Sequence, residues 1–153
     1  MLRVGAYRPR IGNPIPADNA RLRTVVATDH GPLTVYVAHL GSVRVMPRGG
    51  FWTGSRDIGV QAVGAAVAAD PSARVLLLGD LNGTTGDREL SGITSQLRSA
   101  QNVAGAGFGF TYPATFPVVR IDQVLERGLQ PRNSWVLPAN GSDHLPVEAG
   151  IDW

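Results

Sequence analysis

The segment Arg74–Asn82, RVLLLGDLN, runs from a continuous apolar stretch into two polar side chains. An unbroken run of Val and Leu of this kind is typical of a short strand that is buried on both faces of a sheet. Asp80 and Asn82 follow in a loop predicted at residues 79–85, and an extended backbone directs both side chains to one side. We therefore expect a carboxylate and an amide at the carboxyl end of a central strand. Taken alone, the same pair is also explained as an Asp/Asn turn that closes a strand.

Upstream of this segment, the sequence predicts a hairpin and a helix. Two β-branched runs, Leu22–Thr28 and Leu33–Leu40, are separated by the turn residues Asp29-His30-Gly31-Pro32, which places His39 near the end of the second strand. The composition then turns helical over Ser55–Ala69. Downstream, a second helix is predicted over Asp87–Leu97, and further strands over Val118–Leu125, Ser134–Leu137 and Leu145–Ile151. Strands interleaved with helices predict an α/β (α+β) domain with a mixed sheet and helices on one face.

Two stretches lack periodicity. Residues 1–20 are rich in Pro and Gly and are predicted to be an irregular N-terminal segment, which leaves residues 21–153 as a single domain. Residues 41–53 are rich in Gly, Arg and Pro and are predicted to be a surface loop. No repeat or second domain is indicated.

Composition excludes several classes of protein. The chain has 153 residues, no Cys, 14 basic residues that are all Arg, and a formal net charge of +2. The absence of Cys excludes disulfides and thiolate metal sites. The low net charge and the lack of Lys count against a nucleic-acid partner. No apolar run is long enough to span a bilayer, and the first residues show no export signal.

Three further polar side chains stand beside apolar runs. Asp122 lies inside a predicted strand, which is an unusual place for a charge without a partner. His144 follows Ser142 and Asp143 just before the last strand, and an imidazole can move a proton near neutral pH. We predict that Asp122 accepts a hydrogen bond from His144 and orients it. Taken singly, Asp122 on an exposed strand face, His144 in a solvated loop and His39 as a structural histidine are also reasonable interpretations.

Candidate substrate-binding residues come from the loop and the helix that follows it. Arg44, Arg48 and Arg56 flank Gly49-Gly50-Phe51-Trp52, and Arg is suited to bidentate contact with phosphate. The two aromatic residues could pack on an acyl, isoprenoid or base group, or could anchor the loop to the core. Tyr112, in Thr111-Tyr112-Pro113, could line a cleft or turn the chain.

The order of these motifs resembles a known family. A His at a strand end, a Gly-Asp-x-Asn segment, an aromatic-Pro segment, Arg-Ile-Asp and Ser-Asp-His follow one another between residues 22 and 151. This order is similar to that of the endonuclease/exonuclease/phosphatase superfamily, which has the fold of DNase I. The resemblance implies that the chain forms the C-terminal half of a four-layer αββα sandwich with a mixed, mainly antiparallel sheet.

The resemblance also implies a role for each motif residue in the hydrolysis of phosphate esters. His144, paired with Asp122, would be the general base or would polarise the phosphate. Asp80 would orient the nucleophilic water and help to hold a metal, and Asn82 and His39 would contact the phosphate. Asp143 would be a carboxylate close to the metal, which is expected to be Mg²⁺ or Mn²⁺.

One part of the family pattern is missing. Family members carry an Asn and a metal-binding Glu ahead of the His strand, whereas the first Glu of this chain is Glu89. We therefore expect a truncated domain, with an exposed apolar sheet face that favours self-association. A Mg²⁺-dependent nuclease and a non-catalytic remnant are the two alternatives to a phosphoesterase.

A narrower resemblance concerns residues 43–57, which look most like bacterial members linked to teicoplanin resistance. In those proteins transmembrane helices precede an extracytoplasmic phosphatase domain. The resemblance implies a membrane-associated or extracytoplasmic protein that acts on lipid-linked phosphates of the cell envelope.

Overall fold

The computed structural model describes residues 4–5, 20–42, 44–46, 50–52 and 54–153, and gives the backbone alone for 4–5, 20, 44–46 and 50–52. The strands are β1 (Val4–Gly5), β2 (Ala20–Thr28), β3 (Gly31–His39), β4 (Arg44–Met46), β5 (Gly50–Trp52), β6 (Val75–Asp80), β7 (Arg98–Ser99), β8 (Asp122–Arg127), β9 (Gln130–Val136) and β10 (Val147–Asp152). The helices are α1 (Gly54–Ala68), α2 (Ser91–Thr94) and α3 (Ala100–Ala104), with a 3₁₀ turn at Arg88–Leu90. Apart from β1, the predicted irregular segment up to residue 19 lies outside the described residues. Within the predicted loop 41–53, β4 and β5 pair as a short antiparallel ribbon.

A mixed sheet forms the centre of the molecule, as predicted. Its strand order is β1-β2-β3-β6-β8-β7. The hairpin β2–β3 is antiparallel, with its turn at Asp29-His30. Helix α1 lies in the connection between β3 and β6, which run parallel, and β6 pairs antiparallel with β8. The parallel pairing sends the ends of β3 and β6 to the same edge of the sheet.

Helix α1 covers one face of this sheet. Its residues Val60, Val63 and Val67 follow the spacing of one helical face and are buried against the side chains of β3 and β6. On the opposite face, Leu22 and Val37 are paired across β2 and β3, and both are exposed. The predicted self-association through this face stays a prediction. No helix in the described part of the chain is long and apolar enough to cross a membrane.

Several element boundaries differ from the sequence-based predictions. Strand β6 continues through Gly79 and Asp80, which were expected in a loop, because both residues pair with β8. The second helix, expected over Asp87–Leu97, is reduced to a 3₁₀ turn and the single turn of α2. Strand β8 begins only at Asp122, because residues 112–119 form a separate loop closed by a bridge between Tyr112 and Val119. The short elements β7 and α3 were not predicted.

Candidate active site

The predicted polar residues converge on one cleft at the edge of the central sheet. The cleft has a volume of about 610 Å³. Its walls are formed by the side chains of both the early and the late motifs, and they include His39, Asp80, Asn82, Tyr112, Asp122, Asp143 and His144, together with Ser42, Ile121 and Ser142. Segments that are more than 100 positions apart in the sequence, at His39 and His144, therefore share one surface.

The strand register explains this convergence. Asp80 and Asp122 are direct partners across β6 and β8, and the Leu40 amide donates to the Asp80 carbonyl at 2.9 Å. Gly79 allows this close approach, since its φ is +134° and an added Cβ would overlap the Ala38 carbonyl oxygen. The ends of β3, β6 and β8 thus bring His39, Asp80 and Asp122 together.

Asp122 and His144 form a hydrogen-bonded pair. Asp122 Oδ2 lies 2.8 Å from His144 Nδ1, and both side chains are mostly buried. The His144 ring also lies 4.8 Å from the Tyr112 ring, centroid to centroid. Burial lowers the pKa of His144, but the hydrogen bond and charge of Asp122, helped by Asp80 and Asp143, outweigh it, so the pKa is raised. The Asp122 carboxylate is hydrogen-bonded to Nδ1 and so orients the ring. Nε2 is then the ring nitrogen that could exchange a proton with a substrate.

Asp80 and Asn82 are held against each other. The Asn82 backbone amide donates to Asp80 Oδ1 at 2.8 Å, while Asn82 Nδ2 donates to the Leu40 carbonyl at 2.7 Å and to Asp80 Oδ2 at 3.3 Å. Burial raises the pKa of Asp80, and the nearby charge of Asp122 adds to the rise. Both amide hydrogens of Asn82 thus have partners within the protein. The predicted donation from Asn82 to phosphate would replace the longer bond, to Asp80.

His39 faces the open side of the cleft. Its Nε2 lies 3.7 Å from Asp80 Oδ2, and its side chain is 63% exposed. An exposed imidazole beside a carboxylate can contact a phosphate oxygen without first breaking a strong internal bond.

A divalent cation fits part of this arrangement. Asp80, Asp122 and His144 each offer a ligand atom, and these atoms lie within 4.8 Å of one another. Mg²⁺ prefers oxygen ligands such as carboxylates, and this group offers two of them, Asp80 and Asp122. Asp143 lines the cleft, but its exposed carboxylate is outside this group and accepts a long 3.4 Å bond from Ser142 Oγ. Its role as a ligand stays a prediction.

The predicted arginines occupy different positions. The side chains of Arg44 and Arg48 lie outside the described residues. Arg56 does not line the cleft: its side chain is 5% exposed, donates to the Asn82 carbonyl at 2.8 Å and lies 3.6 Å from Asp87 and 3.9 Å from Glu89. The expectation that Arg56 contacts substrate is therefore corrected, because helix α1 buries it behind the Asn82 loop.

The supporting roles of two residues, Arg56 and Thr111, were missed by sequence reasoning. Arg56 supports the loop of Asn82 from behind, and Thr111, fully buried, accepts from the backbone amides of Ile121 and Asp122 at 3.4 and 3.5 Å. Both act through the backbone of distant segments. A single sequence carries no local signal for such contacts.

Comparisons with known proteins agree with this architecture. The model of the Endonuclease/Exonuclease/phosphatase family matches residues 4–144. None of the curated protein sequences matches the chain. Similar solved structures include a conserved protein of unknown function from Enterococcus faecalis V583, with 21% identity over 86% of this chain and 55% of that one at a TM-score of 0.69. Another is the mannosyl-6-phosphatase Bt3783 of Bacteroides thetaiotaomicron, with 13% identity over 88% and 57% of the two chains and a TM-score of 0.65.

A third similar structure is D. rerio TDP2 complexed with single strand DNA product, with 16% identity over 88% of this chain and 62% of that one at a TM-score of 0.68. The chain thus spans between 55% and 62% of the length of these three proteins. At these identities the similarity shows the fold, and it confirms the predicted DNase I-like class. The match of the family model over residues 4–144 shows that the chain belongs to the Endonuclease/Exonuclease/phosphatase family.

Proposed function

We propose that the chain carries the catalytic side of a divalent-metal-dependent phosphoesterase. The observation that carries the proposal is the Asp122–His144 pair at 2.8 Å, which shares one cleft with Asp80 and Asn82. An oriented imidazole facing a second, partly buried carboxylate is an arrangement suited to hydrolysis by an activated water.

The pKa shifts suggest how the work is divided between these groups. A raised pKa keeps more His144 protonated near neutral pH, which suits it to donate from Nε2 to a phosphoryl oxygen. Without a bound metal, burial and the charge of Asp122 raise the pKa of Asp80, and its position in the cleft beside Asp122 and His144 suits it to orient a water for attack. His39 adds a second contact to the phosphate from the open side.

Mg²⁺ or Mn²⁺ is the proposed cofactor. Asp80 and Asp143 are the ligands that the sequence predicts, and Asp122 is a further one that the geometry supports. When bound, the ion supplies positive charge that offsets the charge of the phosphate.

Hydrolysis by the purified chain tests this proposal. The chain would be incubated with Mg²⁺ or with EDTA, and phosphate release would be followed from a phosphomonoester and an organic diphosphate. We expect metal-dependent release that falls by about 10²-fold or more in His144→Ala. His30→Ala, which changes a histidine in the β2–β3 turn, is the control and should keep the activity. Failure to cleave any phosphate ester, or equal activity in His144→Ala, would overturn the proposal.

A nuclease is the second candidate, and the fold shared with the DNA-bound TDP2 structure favours it. Incubation with supercoiled plasmid and Mg²⁺ separates the two, since persistence of the supercoiled form argues against DNA cleavage. A non-catalytic remnant is the third candidate, in which the cleft holds phosphate but no metal. Calorimetric titration with Mg²⁺ tests it: specific binding that is lost in Asp80→Asn argues against a remnant.

Lipid-linked phosphates of the cell envelope are the proposed substrate class. This narrower proposal rests on the resemblance predicted from the sequence of residues 43–57. Release of phosphate from a lipid phosphate in vesicles, compared with release from a soluble ester, is the measurement that tests it.

A further inference from the structure

An exposed aromatic segment borders the cleft. Residues 105–118, here called the aromatic rim, contain three of the four phenylalanines of the chain, and none of their side chains is charged. Phe108 is 80% exposed and Phe116 is 75% exposed, while Phe110 is partly exposed and stacks on Phe108 at 5.2 Å between ring centroids. Exposed aromatic side chains gathered in one segment commonly mark a binding surface.

The aromatic rim has a defined conformation. Gly107 and Gly109 have φ values of +68° and +70°, which few other residues adopt. Gln101 Nε2 donates to the carbonyls of Ala106 and Gly107 at 3.2 and 3.1 Å, which fastens the start of the rim to α3. The exposure of Phe108 is therefore a property of a turn that hydrogen bonds hold in place.

The rim is also fastened to the catalytic segment. The Ala114 amide donates to the Asp143 carbonyl at 2.7 Å, and the Leu145 amide donates to the Thr111 carbonyl at 2.8 Å. Tyr112, within the rim, packs on the ring of His144. The Phe116 amide donates to the Pro113 carbonyl at 3.0 Å, so Phe116 belongs to the same hydrogen-bonded segment as Tyr112, which lines the cleft.

The chemistry of the rim selects one class of partner. A nucleic acid requires Lys or Arg contacts to its phosphates, and the rim offers no cation over its whole length. Phenylalanines that extend from an uncharged turn instead match the boundary between lipid headgroups and acyl chains. Insertion of Phe108 and Phe116 would bring the cleft to the level of the headgroups, where the phosphate of a lipid lies.

We propose that the aromatic rim inserts into the lipid–water interface and places the Asp122–His144 cleft over the phosphate of a membrane lipid. The proposal rests on the proposed phosphoesterase function for its second part only, since binding of the rim to lipid requires no catalysis. Because the rim carries no charge, its binding should not depend on anionic lipid and should change little with salt.

Flotation of the full chain with vesicles of pure phosphatidylcholine tests the rim. We expect the chain to float with the vesicles at low and at high salt. The double variant Phe108→Ser/Phe116→Ser should bind the vesicles at least about tenfold more weakly. Ile58→Ser, which removes an exposed apolar side chain from α1, is the matched control and should float like the parent. Circular dichroism verifies that all three chains are folded.

Three results would overturn the proposal: a parent chain that stays unbound, equal loss of binding in Ile58→Ser, or a double variant that loses binding to single-stranded DNA instead of binding to vesicles. Hydrolysis of phosphatidic acid, added to a second set of phosphatidylcholine vesicles and compared with hydrolysis of a water-soluble phosphomonoester, provides the second readout and should fall in the double variant. Flotation without any hydrolysis would support lipid binding by the rim and contradict the phosphoesterase function. Hydrolysis of the soluble ester without flotation would support the phosphoesterase function and contradict lipid binding by the rim.

Discussion

Arg56 donates from Nη1 to the main-chain carbonyl of Asn82 at 2.8 Å, so a residue of α1 supports the loop that carries the amide of the cleft. Asn82 has a φ of +48°, a conformation that costs a non-glycine residue free energy. The hydrogen bond from a buried guanidinium helps to offset this cost. Arg56 is therefore a positioning residue for the site.

Substitution Arg56→Met should weaken both stability and catalysis. Loss of the guanidinium leaves the Asn82 carbonyl without this donor, and we expect a loss of about 1–3 kcal/mol in the free energy of unfolding. If the loop shifts, kcat should fall more than KM rises, because Arg56 lies behind the loop and does not contact substrate. Urea denaturation and steady-state kinetics measure the two effects. Arg88→Met, at an exposed position of the 3₁₀ turn, is the control, and equal effects in both variants would contradict the positioning role.

The Asp122–His144 pair predicts a shift that can be measured without metal. The hydrogen bond and charge of Asp122 raise the pKa of His144, so Asp122→Asn should lower it. In metal-free protein, an NMR titration should find the pKa of His144 above about 6.5 in the parent chain and lower in the variant. The His30 resonance serves as the internal reference. An unchanged pKa of His144 would show that the pair does not exist in solution.

Much of the fold follows from local sequence patterns. The β2–β3 hairpin, helix α1 and strand β6 were predicted within a few residues, because turn residues, helical composition and a continuous apolar run, respectively, mark them in the sequence. Strand β6 was predicted too short, since Gly79 and Asp80 join it only through their pairing with β8. Helix α2 was predicted too long. It packs closely on α1, since a Cβ added at Gly64 would lie 2.7 Å from the Gly92 carbonyl oxygen.

Some features of the candidate site could likewise be predicted from the sequence, and others could not. The meeting of Asp122 and His144 could be predicted because a charge inside a strand requires a partner. Arg56 was placed with the substrate, since a sequence does not reveal which side of a helix faces a distant loop. The exposure of Phe108 and Phe116 was likewise not predicted, because apolar residues in a loop are as often anchors as contacts.

The hydrogen bonds of Asp70 lead to a prediction of how the stability of the protein depends on pH. Its buried carboxylate accepts from Tyr36 Oη at 2.7 Å, from Arg23 Nε at 2.8 Å and from the Ser72 amide at 2.9 Å. Burial would raise the pKa of Asp70, but the Ser72 side chain, followed by the bonds from Tyr36, the Ser72 amide and Arg23, outweighs burial and holds the pKa far below its usual range. A pKa that is lower in the folded state adds stability above the unfolded value of about 4, and this stability is lost as the pH falls below it.

Asp70→Asn should therefore destabilise the protein at pH 7. It should also make the free energy of unfolding fall less steeply as the pH is lowered. We expect a loss of about 2–3 kcal/mol, because Arg23 and Tyr36 lose a charged acceptor. Urea unfolding midpoints measure this loss from pH 3 to pH 7, a range that spans the ordinary carboxyl pKa of about 4. Asp29→Asn, in the exposed β2–β3 turn, should leave the profile unchanged. A variant that retains the steep acid limb of the parent would assign that limb to other carboxylates.

Gly79 links the fold to the site most directly. With a φ of +134° and the Ala38 carbonyl oxygen where a Cβ would lie, it is the point where β3 and β6 approach each other beside His39 and Asp80. Gly79→Ala adds a methyl group that overlaps this carbonyl, so the strands must separate or the backbone must change. We expect a loss of about 2 kcal/mol or more in the free energy of unfolding.

Catalysis should fall further than this loss of stability explains, since separation of β3 from β6 moves Asp80 away from His39, which lies 3.7 Å from it. The control is Gly86→Ala, because Gly86 has a negative φ and its added Cβ would meet no atom closer than 3.8 Å. Unfolding midpoints and phosphate release, measured under conditions where both variants remain folded, separate the two effects. If Gly79→Ala retains full activity while folded, then close contact between β3 and β6 is not what sets the geometry of the cleft.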